Sequence, residues 1–325
     1  MKLVTKRSRP KPKIKLKNKS YELKDSALYN LRTKRKLIAL LGCSQRKLKV
    51  LSEDSNYHVF DLVKEGKKPR EIQAPNFELD MIQTRIASLL VRVATPEYLY
   101  SGVKGRSNIS NAEVHIGDHP VLTMDIQNFY PSITKKSIFN FFYSTMNAAP
   151  DVAGILAEVC SYNNHIPTGS RISMPLSFWA NYKIYSDLNT LCISENINMS
   201  IFVDDLSFSG VNVGKLFQLR VKNIIESGGL IVHPTKTNLY HKDKPKLITG
   251  VVVGKDGIKV RNKHHKAIYT LFSELGKCKD EKEFNIMQKK LLGRLSAAGQ
   301  IESKFKSRAK QLRHENIKTL TISTI

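Results

Sequence analysis

The most informative stretch of the sequence is Met199-Ser200-Ile201-Phe202-Val203-Asp204-Asp205-Leu206-Ser207-Phe208-Ser209-Gly210, in which an acidic pair separates two apolar runs. Runs rich in Ile, Phe and Val on either side of a short polar step are typical of a β-hairpin. The dipeptide alone favours an ordinary turn. Two adjacent carboxylates repel each other, and a bound divalent cation removes that cost. A plain turn and a metal-binding turn are therefore both open at Asp204 and Asp205.

A second apolar strand candidate, Pro120 to Ile126, carries one more acid, Asp125, near its end. We expect the sheet to bring Asp125 beside the Asp204-Asp205 turn. Helical patterns cover Ser137 to Ser144, Pro175 to Ile193, and Val213 to Ser227, the last leading into Leu230-Ile231-Val232. Strand, helix, hairpin, helix, strand is the split βαβ order of a ferredoxin-like sheet, so the fold class is predicted to be α+β.

Three converging carboxylates would form a metal site. Carboxylate oxygens are ligands that Mg²⁺ prefers, and Mg²⁺ keeps places for substrate phosphates. Two such ions, roughly 3.5–4 Å apart, can activate an attacking hydroxyl and stabilise a leaving pyrophosphate. We therefore predict that Asp125, Asp204 and Asp205 hold two Mg²⁺ ions.

Further elements are visible on both sides of this sheet. Helices are predicted over Asp25 to Glu53, with a stop signal at Gly42, and over Asp80 to Val93, with Met81 on its apolar side. Two hairpins are predicted, His58–Val63 with Arg70–Pro75 across Gly66-Lys67-Lys68-Pro69, and Leu247–Val253 with Ile258–Val260. Asn262 to Ile325 has a helical pattern whose inward positions are Leu271, Leu291, Leu292, Leu295 and Phe305.

The charge balance points to a polyanionic partner. The 325 residues include 53 Lys+Arg and 28 Asp+Glu, a net charge of +25, yet the 41% hydrophobic content excludes a disordered chain. Nucleic acid and anionic membrane both attract such a surplus. No apolar run approaches the roughly 20 residues of a membrane span, and the N-terminus lacks the apolar core of a signal peptide. We predict a nucleic-acid partner, no membrane, and a cytoplasmic location.

The first 24 residues are almost all Lys, Arg, Pro and other polar residues. A segment of this composition can bury nothing, so we expect it to be mobile or to become ordered only on a partner. A simple solvated tail is the alternative.

Four motifs together resemble one family. Met124 to Ile133 looks like the first catalytic motif of reverse transcriptases, and Phe202 to Asp205 looks like their second. Asn111-Ala112-Glu113-Val114-His115 and Ile248-Thr249-Gly250 match elements of the bacterial retron enzymes. The similarity covers about Lys67 to the C-terminus, and the order and spacing of the four motifs make it specific.

This resemblance implies a right-hand polymerase with fingers, a ferredoxin-like palm and a helical thumb. Residues 1–24 would form a basic tail, and 25–118 the N-terminal helices and fingers. The palm would span 119–255, with an interleaved fingers segment at about 135–180, and the thumb 256–325.

The resemblance also implies roles for individual residues. Asp125, Asp204 and Asp205 would be catalytic and would hold the metals, with help from the backbone carbonyl of Ile126. Nucleotide binding would fall to Lys68, Arg70, Tyr130, Gly169 and Lys236. Primer and RNA binding would fall to Asn111, His115, Thr249 and Gly250. The alternatives are a core aromatic for Tyr130, surface charge for Lys68 and Arg70, and a structural histidine for His115.

Two departures from the family pattern affect how the nucleotide and the template would be positioned, and not the metal-binding carboxylates. Phe202 stands where the family usually has tyrosine, and Thr168 to Pro175 replaces a Gln-Gly-x-x-x-Ser-Pro motif. The carboxylates and Gly169 are retained, so activity is still expected. Arg171 adds a charge near the expected template.

The implied function is that of a retron RNA-directed DNA polymerase. It would use dNTPs to copy part of a structured non-coding RNA into single-stranded DNA (msDNA) branched from a guanosine 2′-hydroxyl, in antiphage defence with a separate effector protein. Basic residues of the C-terminal helices would bind the RNA. The alternatives are an intron-type or defence-associated reverse transcriptase, and a non-catalytic RNA-binding scaffold.

Overall fold

The computed structural model describes residues 10–63, 66, 68–278 and 280–314, and of His314 only the backbone. The chain is α+β and divides into two compact units. The first comprises Met1–Lys104, Asp125–Leu191 and Leu219–Thr235, and the second comprises Gly105–Met124, Cys192–Gln218 and Lys236–Ile325.

The strands, in chain order, are β1 Tyr57–Leu62, β2 Arg70–Pro75, β3 Val121–Asp125, β4 Asn198–Phe202, β5 Asp205–Ser209, β6 Asn238–Tyr240, β7 Lys246–Ile248, β8 Val251–Val253 and β9 Ile258–Lys259. The helices are α1 Lys34–Leu41, α2 Gln45–Leu51, α3 Phe77–Leu90, α4 Asn108–Glu113, α5 Phe129–Ser132, α6 Lys135–Asn140, α7 Pro150–Val159, α8 Ser173–Ala180, α9 Tyr182–Ser194, α10 Lys215–Ser227, α11 Asn262–Leu275, α12 Glu281–Ala298 and α13 Ser303–His314.

A four-stranded sheet with the order β4-β5-β3-β6 is built in the second unit, apart from Asp125, the last residue of β3. β4 and β5 pair antiparallel, with Met199 opposite Phe208. The amide of Gly210, just after β5, donates to the carbonyl of Pro120, just before β3, at 3.3 Å, so β5 and β3 also run in opposite directions. In chain order the four strands of this sheet are β3, β4, β5 and β6, and β3 lies between β5 and β6. This order confirms the predicted ferredoxin-like arrangement.

The first unit is mainly helical around one hairpin. β1 and β2 pair antiparallel, with Tyr57 opposite Pro75 and Leu62 opposite Arg70. Helix α3 packs against α1, α8 and β2, and α7 packs against α1, α2 and α6. Leu79, Ile86 and Leu90 of α3 are fully buried in this core.

The second unit also holds a small sheet and a helical layer. β7, β8 and β9 form an antiparallel sheet in chain order, and α4 packs on β8 and β4. Helices α11, α12 and α13 enclose a separate apolar core that includes Ile268, Leu291, Leu295 and Phe305. Leu271 and Leu292 are only partly buried against it. Residues 315–325 of the predicted thumb lie outside the described residues.

Several predicted helix bounds are wrong for local reasons. Helix α3 begins at Phe77, three residues before the predicted start, because the Asn76 side chain accepts from the amide of Leu79 and caps it. Met81 is 49% exposed rather than inward. The predicted Pro175–Ile193 helix is interrupted at Asn181, whose side-chain amide donates to the carbonyl of Ser177 at 2.9 Å. By contrast, the predicted stop at Gly42 is confirmed, with a left-handed φ of 66°.

Two longer predictions are also corrected. The Asp25–Glu53 pattern forms two helices, α1 and α2, and Ser137–Ser144 becomes α6 followed by a π-turn at Phe141–Thr145. The stretch 230–232 makes only an isolated bridge, between Val232 and Ile126. The fourth strand of the sheet is instead β6, in which Leu239 lies opposite Leu122 of β3.

The basic N-terminal segment is the largest correction. The amide of Lys15 donates to the Ser88 hydroxyl at 3.0 Å, and the Arg92 guanidinium donates twice to the Lys15 carbonyl, at 3.0 and 2.8 Å. Tyr21 forms a parallel bridge with Val93. The expectation that the tail buries nothing is therefore wrong for residues 10–24, while residues 1–9 lie outside the described part of the chain.

Within the described ranges, no helix combines the length and apolar character needed to cross a bilayer.

Candidate functional site

The acidic pair lies in the tight turn of the β4–β5 hairpin. Phe202 and Asp205 are paired, so Val203 and Asp204 form the two-residue connection. Val203 has a φ of 60°, a conformation that costs a β-branched residue about 1–2 kcal/mol. Asp204 and Asp205 are both half-buried. A strained backbone held at an acidic turn is typical of a functional site.

The third carboxylate belongs to β3. Asp125 is the last residue of that strand and is only 8% exposed. Its carbonyl accepts from the amide of His233 at 2.7 Å, and the carbonyl of Ile231 accepts from the amide of Gln127 at 2.8 Å. These bonds fix the backbone on both sides of Ile126, which is buried.

The donor chemistry suits a hard cation, because aspartate supplies the oxygen ligands that Mg²⁺ prefers. In the described parts of the chain, however, no three His, Cys, Asp or Glu side chains are grouped as a metal site. The hairpin supplies two adjacent carboxylates, and a complete three-carboxylate ligand set stays a prediction.

The predicted nucleotide-binding residues are spread over several elements. Lys68 is exposed two residues before β2, and Arg70 is exposed at the first position of β2. Tyr130 is half-buried in the short helix α5, with its ring centroid 5.4 Å from that of Phe129. Lys236 is exposed in the turn before β6. Their roles at a nucleotide stay predictions.

Gly169 is required by close backbone packing. Its amide donates to the carbonyl oxygen of Gln73 in β2 at 3.2 Å. A Cβ at position 169 would lie 2.6 Å from that same oxygen, closer than real Cβ contacts allow. The segment that replaces the family motif is therefore seated directly on the hairpin strand β2.

Buried polar side chains hold the same segment, and the sequence analysis missed them. Gln73 accepts from the amide of Thr168 at 2.7 Å, and Gln83 accepts from the Ser170 hydroxyl at 2.5 Å. Arg171 forms an ion pair with Asp80. The Arg171 charge is thus largely neutralised by Asp80. The only sequence signal was the presence of Asp80 and Gln83 within an otherwise apolar helix.

The two retron-like elements contact each other in the second unit. Thr249 and Gly250 form the β7–β8 turn, both with positive φ, 44° and 86°. The Thr249 hydroxyl donates to the carbonyl of Asn108 at 2.7 Å, and the Asn108 side-chain amide donates to the carbonyl of Thr249 at 3.2 Å. Asn111 also donates to the Thr249 hydroxyl at 3.5 Å. The turn is therefore positioned by α4.

His115 is fully buried behind the hairpin. Its Nδ1 lies 2.7 Å from the Ser209 hydroxyl and its Nε2 lies 2.7 Å from the Ser200 hydroxyl. Burial, helped by the nearby His119, lowers the pKa of His115 to about 3, so the ring is neutral. A side chain without solvent exposure cannot touch RNA, so the predicted RNA contact at His115 is replaced by a structural role.

These features define a class: an α+β chain whose split βαβ sheet carries an Asp-Asp hairpin beside an aspartate-ending strand. No protein-family profile matches the chain. The chain is similar to several curated proteins. The retron Se72 reverse transcriptase of Salmonella heidelberg is 32% identical over 63% of this chain and 56% of that protein. The retron Ec86 reverse transcriptase of Escherichia coli is 25% identical over 68% of this chain and 71% of that protein, and the retron Ec48 reverse transcriptase of Escherichia coli is 21% identical over 86% and 75%.

These similarities confirm the resemblance to bacterial retron reverse transcriptases. The match to the Se72 protein spans little more than half of that protein's length. Among solved structures, a foamy viral protease-reverse transcriptase in complex with double-stranded DNA aligns with a TM-score of 0.45 and 13% identity, over 80% of this chain and 40% of that chain.

Proposed function

We propose that the chain is the RNA-directed DNA polymerase of a retron. The observation that carries the proposal is the strained Val203-Asp204 turn, which presents an Asp-Asp pair on a sheet whose neighbouring strand ends in Asp125. In antiparallel neighbours, the last residue of one strand lies towards the first residue of the next. The similarity to curated retron reverse transcriptases supports the same reading.

Asp125, Asp204 and Asp205, with the carbonyl of Ile126, would hold two Mg²⁺ ions. When bound, the ions favour ionisation of the attacking hydroxyl and neutralise charge on the leaving pyrophosphate. The strained turn would fix the two hairpin carboxylates before substrate arrives, so that little reorganisation is needed.

The incoming dNTP would be positioned by side chains that stay accessible. Arg70 and Lys68 would contact the triphosphate, a task that suits an exposed guanidinium fork and ammonium. Tyr130 would pack against the sugar and exclude a 2′-hydroxyl, and Lys236 would donate a proton near the leaving group. Gly169, seated on β2, would let the backbone of its segment approach the nucleotide closely.

The primer and RNA would contact the second unit. Thr249 and Gly250, held by Asn108 and Asn111, would approach the primer strand through the turn backbone. The RNA stem would bind to basic residues on α12 and α13 through shape and phosphate contacts. These residues are Lys289, Lys290, Arg294, Lys304, Lys306, Arg308, Lys310 and Arg313.

The product would be branched single-stranded DNA (msDNA), made in the cytoplasm from a structured non-coding RNA and used with a separate effector in antiphage defence. A differently primed reverse transcriptase and a non-catalytic RNA scaffold are the rival functions.

The test is to express the chain together with its flanking upstream DNA and to analyse the extracted nucleic acid on a denaturing gel. A short single-stranded DNA that shifts after RNase and debranching treatment, and that is absent with Asp204→Asn, is the expected result. Linear DNA alone would point to another reverse transcriptase group, and RNA binding without any DNA would point to the scaffold.

A further inference from the structure

We propose that residues 10–17, here called the strap, form a binding edge for single-stranded RNA, an inference that rests on the proposed RNA-copying function. The strap contains Lys11-Pro12-Lys13-Ile14-Lys15-Leu16-Lys17. Burial alternates along it: the lysines are exposed, and Pro12, Ile14 and Leu16 are half-buried. In an extended chain, alternate residues lie about 6.6 Å apart on one side. The strap therefore presents a row of three ammonium groups, from Lys11, Lys13 and Lys15, and turns at Lys17, which has a φ of 55°.

The row is fixed to the protein by groups other than the lysine side chains. Arg92, which is 6% exposed, donates twice to the carbonyl of Lys15, and Ser88 accepts from the Lys15 amide. Ile14 and Leu16 line an apolar cavity of about 400 Å³ together with Leu90, Val93, Leu99 and Trp179. A free charged tail would need none of these contacts. The strap thus holds its lysines outward before any partner binds.

Among the described residues, Lys11, Lys13, Lys15 and Lys17 form no ion pair. The three ammonium groups of Lys11, Lys13 and Lys15 favour an anionic partner, and a phosphodiester backbone is one. An anionic membrane fits less well, because surface-binding segments insert apolar side chains, and the apolar side chains of the strap face the protein.

The strap leads to a cleft that suits unpaired bases. Lys11 and Pro12 line an opening of about 760 Å³ together with Pro75, Phe77, Gly169 and Arg171. Phe77 is 37% exposed there, and an accessible aromatic ring is a stacking platform for a base. The basic row followed by an aromatic-lined cleft is the arrangement that binds single strands in preference to duplexes.

The experiment measures binding of the full chain to a fluorescein-labelled oligouridylate by anisotropy, without nucleotides, over a range of KCl concentrations. The strap variant is Lys11→Gln/Lys13→Gln/Lys15→Gln. Its matched control, Lys24→Gln/Lys36→Gln/Lys49→Gln, removes the same charge from exposed positions of the same unit. A second variant, Lys11→Arg/Lys13→Arg/Lys15→Arg, keeps the charge and the anchors.

The strap variant should bind the oligouridylate about tenfold more weakly than wild type. The plot of log affinity against log salt should become less steep by about 2, because each lost phosphate contact contributes about 0.7 to the magnitude of the slope. The control and the arginine variant should bind like wild type. The proposal would be overturned if the strap variant and the control lost the same RNA affinity, or if neither lost any. The proposal would also be overturned if the strap variant lost binding to phosphatidylserine-containing vesicles while it still bound RNA like wild type. Asp204→Asn should keep full binding, which separates this test from failure of the polymerase proposal.

Discussion

At the scale of single residues, the hairpin turn stores strain at the position that precedes the acidic pair. Val203 has a φ of 60°, which glycine adopts freely and valine does not. Val203→Gly should therefore stabilise the fold by about 1 kcal/mol, measured by urea unfolding. It should at the same time slow DNA synthesis, because the turn would become less rigid.

The matched control for this prediction is Val211→Gly. Val211 is exposed in the same unit and does not have a positive φ, so glycine there should only destabilise, by about 0.5–1 kcal/mol. Equal effects of the two substitutions on stability would show that Val203 is not strained.

His115 gives a pH dependence whose sign follows from burial. Its pKa is lowered from near 6.5 to about 3 in the folded chain, so the unfolded chain takes up this proton first as pH falls. The contribution of His115 to stability is complete above pH 6.5 and decreases below it, by about 1.4 kcal/mol per pH unit, until pH approaches 3. Unfolding free energies between pH 7 and pH 5 should fall more steeply for wild type than for His115→Gln, by about 2 kcal/mol.

Substitution of an exposed histidine on β1, His58→Gln, is the control and should leave the wild-type pH dependence in place. If His115→Gln has the same slope as wild type, the neutral buried ring is not the source of the acid sensitivity.

At the scale of elements, the Thr168–Pro175 segment depends on the contact of its glycine with β2. Gly169→Ala should destabilise the chain by about 1–3 kcal/mol, because the new methyl group would meet the Gln73 carbonyl at 2.6 Å and neither backbone can move away cheaply. Gly154→Ala, in α7, meets nothing within 4 Å and should instead stabilise by about 0.5–1 kcal/mol. Thermal melting of both variants gives the comparison, and a neutral Gly169→Ala would contradict the close packing.

The elements also show what local sequence can and cannot predict. The β4–β5 hairpin, the β1–β2 hairpin and the stop at Gly42 were predictable, because apolar alternation and glycine act over a few residues. The strap was not predicted, although residues 11–17 alternate lysine with Pro, Ile and Leu, because the lysine-rich composition was interpreted as a solvated tail. Its receptors, Ser88 and Arg92, are also distant in sequence. Long-range partners of this kind leave no local pattern.

The candidate site divides in the same way. The three aspartates were identifiable from motif and order, but the polar network of Gln73, Asp80 and Gln83 under the Thr168–Pro175 segment was not. A structural role was the stated alternative for His115, and its hydrogen bonds with Ser200 and Ser209 agree with that alternative. A histidine's partners come from the tertiary fold, so sequence alone gave only the type of residue.

At the scale of the whole molecule, the net charge of +25 and the acidic hairpin turn attract ligands of opposite charge. A surplus of positive charge favours a polyanionic partner, and two adjacent carboxylates favour a divalent cation. This combination is expected of an enzyme that works on a polyanion with metal ions, and a scaffold would have no need of the Asp-Asp turn.

The most direct test of this account is synthesis of DNA by the purified full chain on the RNA transcribed from its flanking DNA, with Mg²⁺ and labelled dNTPs. Wild type should make DNA, and Asp204→Asn should lose the activity about 100-fold or more while still binding the RNA. The exposed control Asp256→Asn should act like wild type. DNA synthesis by Asp204→Asn at the wild-type rate, or no synthesis by a wild-type chain that binds the RNA, would contradict the account.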